Sequence, residues 1–481
     1  MASIKRNFIY NLLLQVSKVI FPLITAPYVA RILDPDGVGI FNFVNTYSSY
    51  FALFAVLGIP TYGIREIAKR RDDLKACELF VSQMISIEVI STLLVSVIYI
   101  GSVFSIGQLN ENAMMFLVAG ISLYISPFKI EWFFSGREEF GYITFRSLVI
   151  KTISVVLLFI VVRDKGDLLN YIVLNLFATI VNEFWNYVKL FKLGIRPRLT
   201  LRGTKEHLKP VLILFGSSVA VSIYVMLDTL MLGFFSSYDE VGYYNSAMHV
   251  VKALLPIATA LSTVAIPRVS IYMKDSDISM INKLMTQSLG IVSLLAFPLM
   301  IGVIVIAPEF VPLFYGDEFH GTILPMQIGA GVIVAIGLNN LNGIQILTGM
   351  AKDKQFLISV CAGAVINFIL NLALIPRYGA SGAALASVIA EIIIFIINEY
   401  FVRKCTQVRM QTYSDLMKAV AGALLFIPVS CLCSRFLGGW TYIIVCFLFC
   451  ALIYIFAQKI FKNSMYFTIY NLFKSKLTKR T

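Results

Sequence analysis

The 481-residue chain is short of charge: 14% of its residues are Asp, Glu, Lys or Arg, against about a quarter in an average soluble domain. With 58% apolar residues and a mean hydropathy of +0.82, that deficit excludes a soluble enzyme, a disordered chain and a secreted disulfide scaffold. The seven cysteines are scattered without C-x-x-C ligand spacing, so neither a metal site nor a disulfide framework is expected, and no cofactor is. No G-x-x-x-x-G-K-[ST] run occurs and no loop could hold a nucleotide domain, which argues against an ATP-driven pump. The basic start, MASIKRNFIYNLLLQ, lacks a small-residue cleavage site before its apolar stretch ends near Val29, and reads as an uncleaved first helix.

What is present is a series of apolar runs about 18 to 25 residues long, the length that crosses roughly 30 Å of hydrocarbon as helix. The expectation is an all-α polytopic membrane protein of fourteen spans: 8–31, 38–60, 79–104, 113–134, 142–162, 168–191, 210–235, 241–266, 284–307, 323–348, 355–375, 380–402, 416–436 and 440–461. Roughly thirty Lys and Arg fall outside the spans on the side of the N-terminus and about five on the other, placing both termini in the cytoplasm by the positive-inside rule. The net charge of +13 then reflects topology and an anionic lipid leaflet, and nucleic-acid binding is not needed to explain it. The tail 462–481 places Tyr466, Ile469, Tyr470, Phe473 and Leu477 on one helical face, which suits a basic amphipathic helix on the cytoplasmic surface.

An internal repeat organises the spans. Val38-Gly39-Ile40-Phe41-Asn42 recurs as Val241-Gly242-Tyr243-Tyr244-Asn245, offset by 203 residues; Ile59-Pro60 recurs as Ile266-Pro267, offset 207; Gly136 pairs with Gly349, offset 213. Six spans per repeat is an even number, so the halves share an orientation and are related by a pseudo-two-fold along the membrane normal, with substrate between them. The predicted organisation is an N-terminal lobe (1–205), a C-terminal lobe (206–405), two additional spans (406–461) and the tail (462–481).

Polar residues at helical spacing inside such spans face the bundle or a wet cavity. The first span carries Asn11, Gln15, Lys18, Pro22 and Thr25; the eighth carries Asn245, His249, Lys252 and Pro256; span six carries Asn175, Thr179, Asn182 and Asn186. Span five has Lys151 and Arg146, and span four ends near Lys129. The five cations Lys18, Lys151, Lys252, Lys129 and Arg146 form the candidate substrate-binding set, point charges suited to phosphate. Snorkelling and interhelical bonding are the other readings of Lys129 and Arg146. Gln15, Asn11, Asn182, Asn245 and His249 are candidate polar cavity residues, and Asp228, Glu391 and Glu183 candidates for ion coupling or for salt-bridging a lysine.

Five segments, YVARILDPDGVGIFNF (28–43), LGIPTYGIREIAKRRDD (57–73), EWFFSGREEFGYI (131–143), DTLMLGFFSSYDEVGYYNSA (228–247) and IPRYGASGAALASVIAE (375–391), resemble the bacterial polysaccharide flippases. These are the O-antigen type exporters of the multidrug, oligosaccharidyl-lipid and polysaccharide exporter superfamily. The resemblance implies two six-helix lobes like those of multidrug-and-toxin exporters. It also implies movement of undecaprenyl-diphosphate-linked oligosaccharide from the cytoplasmic to the periplasmic leaflet of the inner membrane by ion-coupled alternating access, for lipopolysaccharide or another surface polysaccharide. Implied partners are H⁺ or Na⁺, membrane lipids, a polysaccharide polymerase and a chain-length regulator. Motif residues Arg31, Arg65 and Glu66 sit at span ends, where gating contacts are expected. The rivals are a multidrug or cation exporter, a flippase for another lipid-linked precursor, and a membrane polymerase using Glu309, Asp317, Glu318 and His320 in a 308–322 loop.

Overall fold

The computed structural model describes residues 4–275, 277–409 and 413–478. Among them the chain is helical, with no strand. In order the helices are α1 (Ile4–Val56), α2 (Ile59–Arg70), α3 (Leu74–Ser105), α4 (Gly107–Asn110), α5 (Ala113–Ile125), α6 (Glu131–Gly136), α7 (Phe140–Val161), α8 (Leu168–Lys192), α9 (Lys205–Phe235), α10 (Tyr238–Lys274), α11 (Ile278–Tyr315), α12 (Ile323–Gly329), α13 (Gly331–Asn340), α14 (Asp353–Cys405), α15 (Ser414–Leu424), α16 (Phe426–Ser434), α17 (Gly439–Ile460) and α18 (Ser464–Thr478).

All fourteen expected spans fall on these helices, but several are joined or divided. α1 holds the first two, separated at Asp34 (φ 56°, ψ 176°). Pro35 disfavours helical geometry in the residue before it and is itself well placed to start the next helix, and Asp tolerates positive φ better than most side chains. α14 holds spans eleven and twelve, broken at Gly379 (φ 50°, ψ −130°). There the Glu240 carboxylate accepts from Ala380 N at 2.6 Å, and a Cβ on residue 379 would lie 2.2 Å from that carboxylate. Glycine is required for the backbone and for the space alike. Span ten is assembled from α12, α13 and a π-helical turn, Leu341–Thr348.

The expected 308–322 loop is a correction: α11 continues through Pro308 and Pro312 to Tyr315, followed by a 3₁₀ turn over Asp317–Thr322 in which Phe319 and Thr322 are buried. The apolar EFVPLFY pattern stays in register with the helix, so the acids there have no extended loop on which to form a catalytic group.

The chain divides into two compact units, Met1–Phe234 and Phe235–Thr481. α9, which the repeat assigns to the second lobe, falls within the first. A Cβ on Gly58 would lie 2.4 Å from Val211 O, Phe54 meets Phe215 with ring centroids 5.4 Å apart, and Phe43 meets Phe234 at 5.2 Å.

In the first unit α2 seats on α6 through two glycines. A Cβ at Gly63 would reach 2.4 Å from the Trp132 ring, and one at Gly136 would reach 2.8 Å from Ile64 O and from Ile67 Cβ. These belong to a core of Ile59, Tyr62, Ile67, Phe80, Met84, Trp132, Phe133 and Phe134. In the second unit, α15 to α17 pack on α11: Tyr442 Oη donates to Val305 O at 3.2 Å and Tyr454 Oη to Leu294 O at 3.0 Å. α18 docks by Met465 against Gly290 and by Asp415, which accepts from Ser464 N at 3.1 Å. Ile469 joins this packing and Tyr470 is exposed; the tail side chains Phe473, Lys474, Leu477 and Thr478 lie outside the described set.

Much of the remaining surface is apolar, including Val97 (72% exposed), Phe436 (78%) and Leu452 (64%). Water does not tolerate apolar exposure on that scale, whereas lipid does. Ten segments are long and apolar enough to span a bilayer, two of them the joined pairs of α1 and α14. The protein is a multi-pass membrane protein.

Candidate cationic site in the first unit

The cations predicted from the first, fourth and fifth spans come together where α1, α3, α7, α8 and the junction of α5 with α6 meet. Lys151 Nζ, half-buried on α7, donates to Ser17 Oγ on α1 at 3.1 Å and lies 5.6 Å from the Phe21 ring centroid. Its near electrostatic neighbours are Lys18, which is exposed, and Glu131. The two ammonium groups, one on α1 and one on α7, repel one another, and an anion placed between them relieves that repulsion.

Arg146, also on α7, has a different environment. It is fully buried, pairs through Nη2 with Glu131 in the first turn of α6, and lies over the Tyr142 ring at 5.3 Å. Among the described residues, its Nε and Nη1 have no hydrogen-bond partner. Glu183 of α8 accepts from Asn186 at 2.8 Å and from Asn182 at 3.3 Å, and attracts Arg146. Lys129 sits at the unwound step between the Ser126–Phe128 turn and α6 (φ −77°, ψ 82°), attracted by Glu183 and Glu88. Glu88, on α3, is buried, and among the described residues neither of its carboxylate oxygens has a hydrogen-bond partner.

The five predicted cations therefore separate into groups. Lys129 and Arg146 lie in a cluster with Glu88, Glu131 and Glu183, where acids match or exceed them. Lys18 and Lys151 are a neighbouring pair with Glu131 at its edge, and here positive charge is in surplus. Asn11 and Gln15 continue the Lys18 face along α1, with Gln15 Nε2 donating to Asn11 Oδ1 at 3.4 Å. Farther along α8, Asn175 and Thr179 line a cavity of about 150 Å³ with Asn45 and Ser122.

The other candidates are not part of this constellation. Asp228 is buried near Tyr50. Lys252, exposed, and His249, half-buried, belong to α10 of the second unit, where Asn245 donates to Val241 O of its own helix at 2.9 Å. Glu391 on α14 accepts from Asn339 Nδ2 at 2.5 Å. Arg31 is exposed on α1, just before the Asp34 break. Glu66 is buried on α2 and gathers Arg70 at 2.5 Å, Lys69 at 2.8 Å and Arg65 at 3.6 Å. Burial pushes the Glu66 pKa up, but the Lys69 and Arg70 hydrogen bonds and charges outweigh it and hold the group below the usual glutamate range. It fastens α2 internally.

Sequence reasoning missed Glu88, Glu131, Ser17 and Tyr142. Glu88 was readable as a lone acid within the apolar run 79–104. The pairing of Glu131 with Arg146 was not, because it depends on the break at Lys129.

The fold is that of two-lobed exporters. The structure superposes on a lipid II flippase MurJ in its inward closed conformation with a TM-score of 0.79, at 15% identity over 95% of this chain and 99% of that one. It also matches an inward-facing multidrug resistance MATE family transporter of the MOP superfamily with a TM-score of 0.62, at 14% identity over 80% of this chain and 94% of that one. Within that class, the model of the polysaccharide biosynthesis protein family matches residues 4–273, more than half of the sequence, and the chain belongs to that family. It is similar to the "Putative O-antigen transporter" of Escherichia coli (strain K12), 25% identical over 416 residues that span 83% of this chain and 97% of the relative.

Proposed function

We propose that the protein is a flippase that moves undecaprenyl-diphosphate-linked oligosaccharide, the repeat unit of O-antigen or another surface polysaccharide, between the leaflets of the bacterial inner membrane. The observation that carries this reading is the Lys18–Lys151 pair: two ammonium groups on apolar helices, within electrostatic reach of one another, attract a diphosphate and reduce the cost of taking it through hydrocarbon. The E. coli relative named an O-antigen transporter and the neighbour named a lipid II flippase support the substrate class.

The Lys and Arg asymmetry supports cytoplasmic termini and transport from the cytoplasmic to the periplasmic leaflet. We assign the work to two six-helix lobes, 1–205 and 206–405, with the spans of 406–461 and the tail as additions. Lys252, Asn245 and His249 would be the second lobe's contribution to the path, with Arg31, Arg65 and Glu66 at its gates. Glu183, Asp228 and Glu391 are the acids proposed to carry a coupling H⁺ or Na⁺. A polymerase and a chain-length regulator would act on the delivered product.

The test is where the lipid-linked oligosaccharide accumulates in cells lacking this protein, read with a leaflet-selective probe. Accumulation on the cytoplasmic leaflet, relieved by restoring the chain, is expected. Accumulation on the periplasmic leaflet, unpolymerised, overturns the flippase reading in favour of a later enzymatic step.

A further inference from the structure

A cavity of about 500 Å³ opens at the beginning of α1 in the first unit, away from the lysine pair. Its walls come from α1, the turn between α2 and α3, and the segment joining α6 to α7. One wall is held firmly: Arg137 donates from Nε to Glu139 at 3.0 Å and from Nη1 to Arg71 O at 2.9 Å, and lies 5.7 Å from the Phe133 ring centroid. The lining charges balance, with Arg6, Arg71 and Arg137 facing Asp72, Glu138 and Glu139. Among the described residues, the side chains of Arg6, Asn7, Tyr10 and Asp72 make no hydrogen bond or ion pair. They leave donors and acceptors open to the cavity, beside the rings of Tyr10 and Tyr142.

A charge-balanced wall holds an inorganic anion poorly. Free donors and acceptors together with aromatic faces suit an uncharged, polyhydroxylated ring. The volume lies within the usual range of small-ligand sites, about 300–1,000 Å³. The cavity is also joined to the lysine pair by one helix face. Asn7 lines it, and Asn11, Gln15 and Lys18 follow at i+4, i+8 and i+11. From Tyr10 to Lys18 the helix rises about 12 Å, enough to separate a sugar from the diphosphate that bears it.

Resting on the flippase reading, we infer that this cavity is a saccharide subsite: it takes an uncharged sugar of the glycan while Lys18 and Lys151 take the diphosphate. The subsite selects for a glycan-bearing lipid over the bare carrier.

The experiment uses the full chain in lipid nanodiscs and two ligands: lipid-linked oligosaccharide extracted from cells lacking the protein, and undecaprenyl diphosphate without glycan. Asp72→Asn, and separately Asn7→Ala, should weaken binding of the glycan-bearing lipid roughly tenfold, the cost of losing a hydrogen bond at a polar site, and leave the bare diphosphate unchanged. Lys18→Gln should weaken both. Equal weakening of both ligands by Asn7→Ala, or tighter binding of the bare diphosphate by Asp72→Asn, makes the cavity a phosphate reader and overturns the inference, and so does no effect of either cavity variant on either ligand. Failure of the wild-type chain to bind either lipid overturns the flippase reading, and this inference with it.

Discussion

The first unit buries a cluster of charges; the second buries amides, with Glu391 among them. In the first, Glu88, Lys129, Glu131, Arg146 and Glu183 meet beside the Lys18–Lys151 pair. In the second, Asn339 donates to Glu391, Asn342 to Glu399 at 2.9 Å, Gln345 to Ser288 at 3.0 Å and Ser359 to Asn398 at 2.5 Å, stitching α11, α13, the π-turn and α14 together. The neutral bonds, Gln345 to Ser288 and Ser359 to Asn398, come at small net gain, of the order of 0.6 kcal/mol per interhelical bond; the other two amides donate to carboxylates. Buried ions carry a desolvation penalty that stability alone does not justify. The difference teaches that the second unit's amide bonds read as structure, while the first unit's clustered ions need a functional explanation.

The largest effect should come from the lysine pair. Lys18→Gln and Lys151→Gln should each abolish transport, seen as retention of the precursor on the cytoplasmic leaflet, with insertion and yield unchanged. Normal transport in both removes the cationic site and with it the contrast between the units. Next is Glu131→Ala, which leaves Arg146 buried without its partner and should cost about 3 kcal/mol, since Glu131 is partly exposed. The double variant Glu131→Gln with Arg146→Met should recover much of that in thermal unfolding of the solubilised protein.

Gly63→Ala should cost about 2 kcal/mol by forcing α2 off the Trp132 ring; an unchanged unfolding midpoint would show that the contact is loose. Asn339→Leu takes the donor from the buried Glu391 carboxylate and should cost about 1–2 kcal/mol; an unchanged unfolding midpoint would show that the contact adds little. The smallest effect is at Glu66. Its folded pKa is depressed, so its contribution is complete above the unfolded glutamate value of about 4.3 and disappears as pH falls through the lower folded value. Glu66→Gln should flatten the acid limb of a stability–pH profile by less than about 1 kcal/mol, because two of the three cations around the group, Arg65 and Lys69, are exposed.

The spans were legible because length and hydropathy suffice once hydrocarbon is the solvent. The repeat, too, has a structural echo. Gly136 closes on the helix that follows Ile59-Pro60, and Gly349 closes on Val269, two residues after Ile266-Pro267. The chain breaks at Leu57 (φ 55°) before the first Ile-Pro and runs straight through the second within α10. The stripe Asn11, Gln15, Lys18 was likewise readable, since spacing fixes a helix face. What spacing could not settle was which cations remain unmatched, because Glu131 and Arg146 belong to different helices and meet only through the break at Lys129.

The sequence by itself determined the class of solvent, the all-helical, many-span class of the chain and the polar face of each helix. These follow from local quantities: the transfer energy of a run and the angular period of a helix. Only the tertiary structure decided that Arg146 is matched by Glu131, that Lys151 stands beside Lys18 and Ser17, and that a charge-balanced cavity lies at the start of the same α1 face. Those are pairings between helices, and electrostatic energy depends on distances that no single helix fixes.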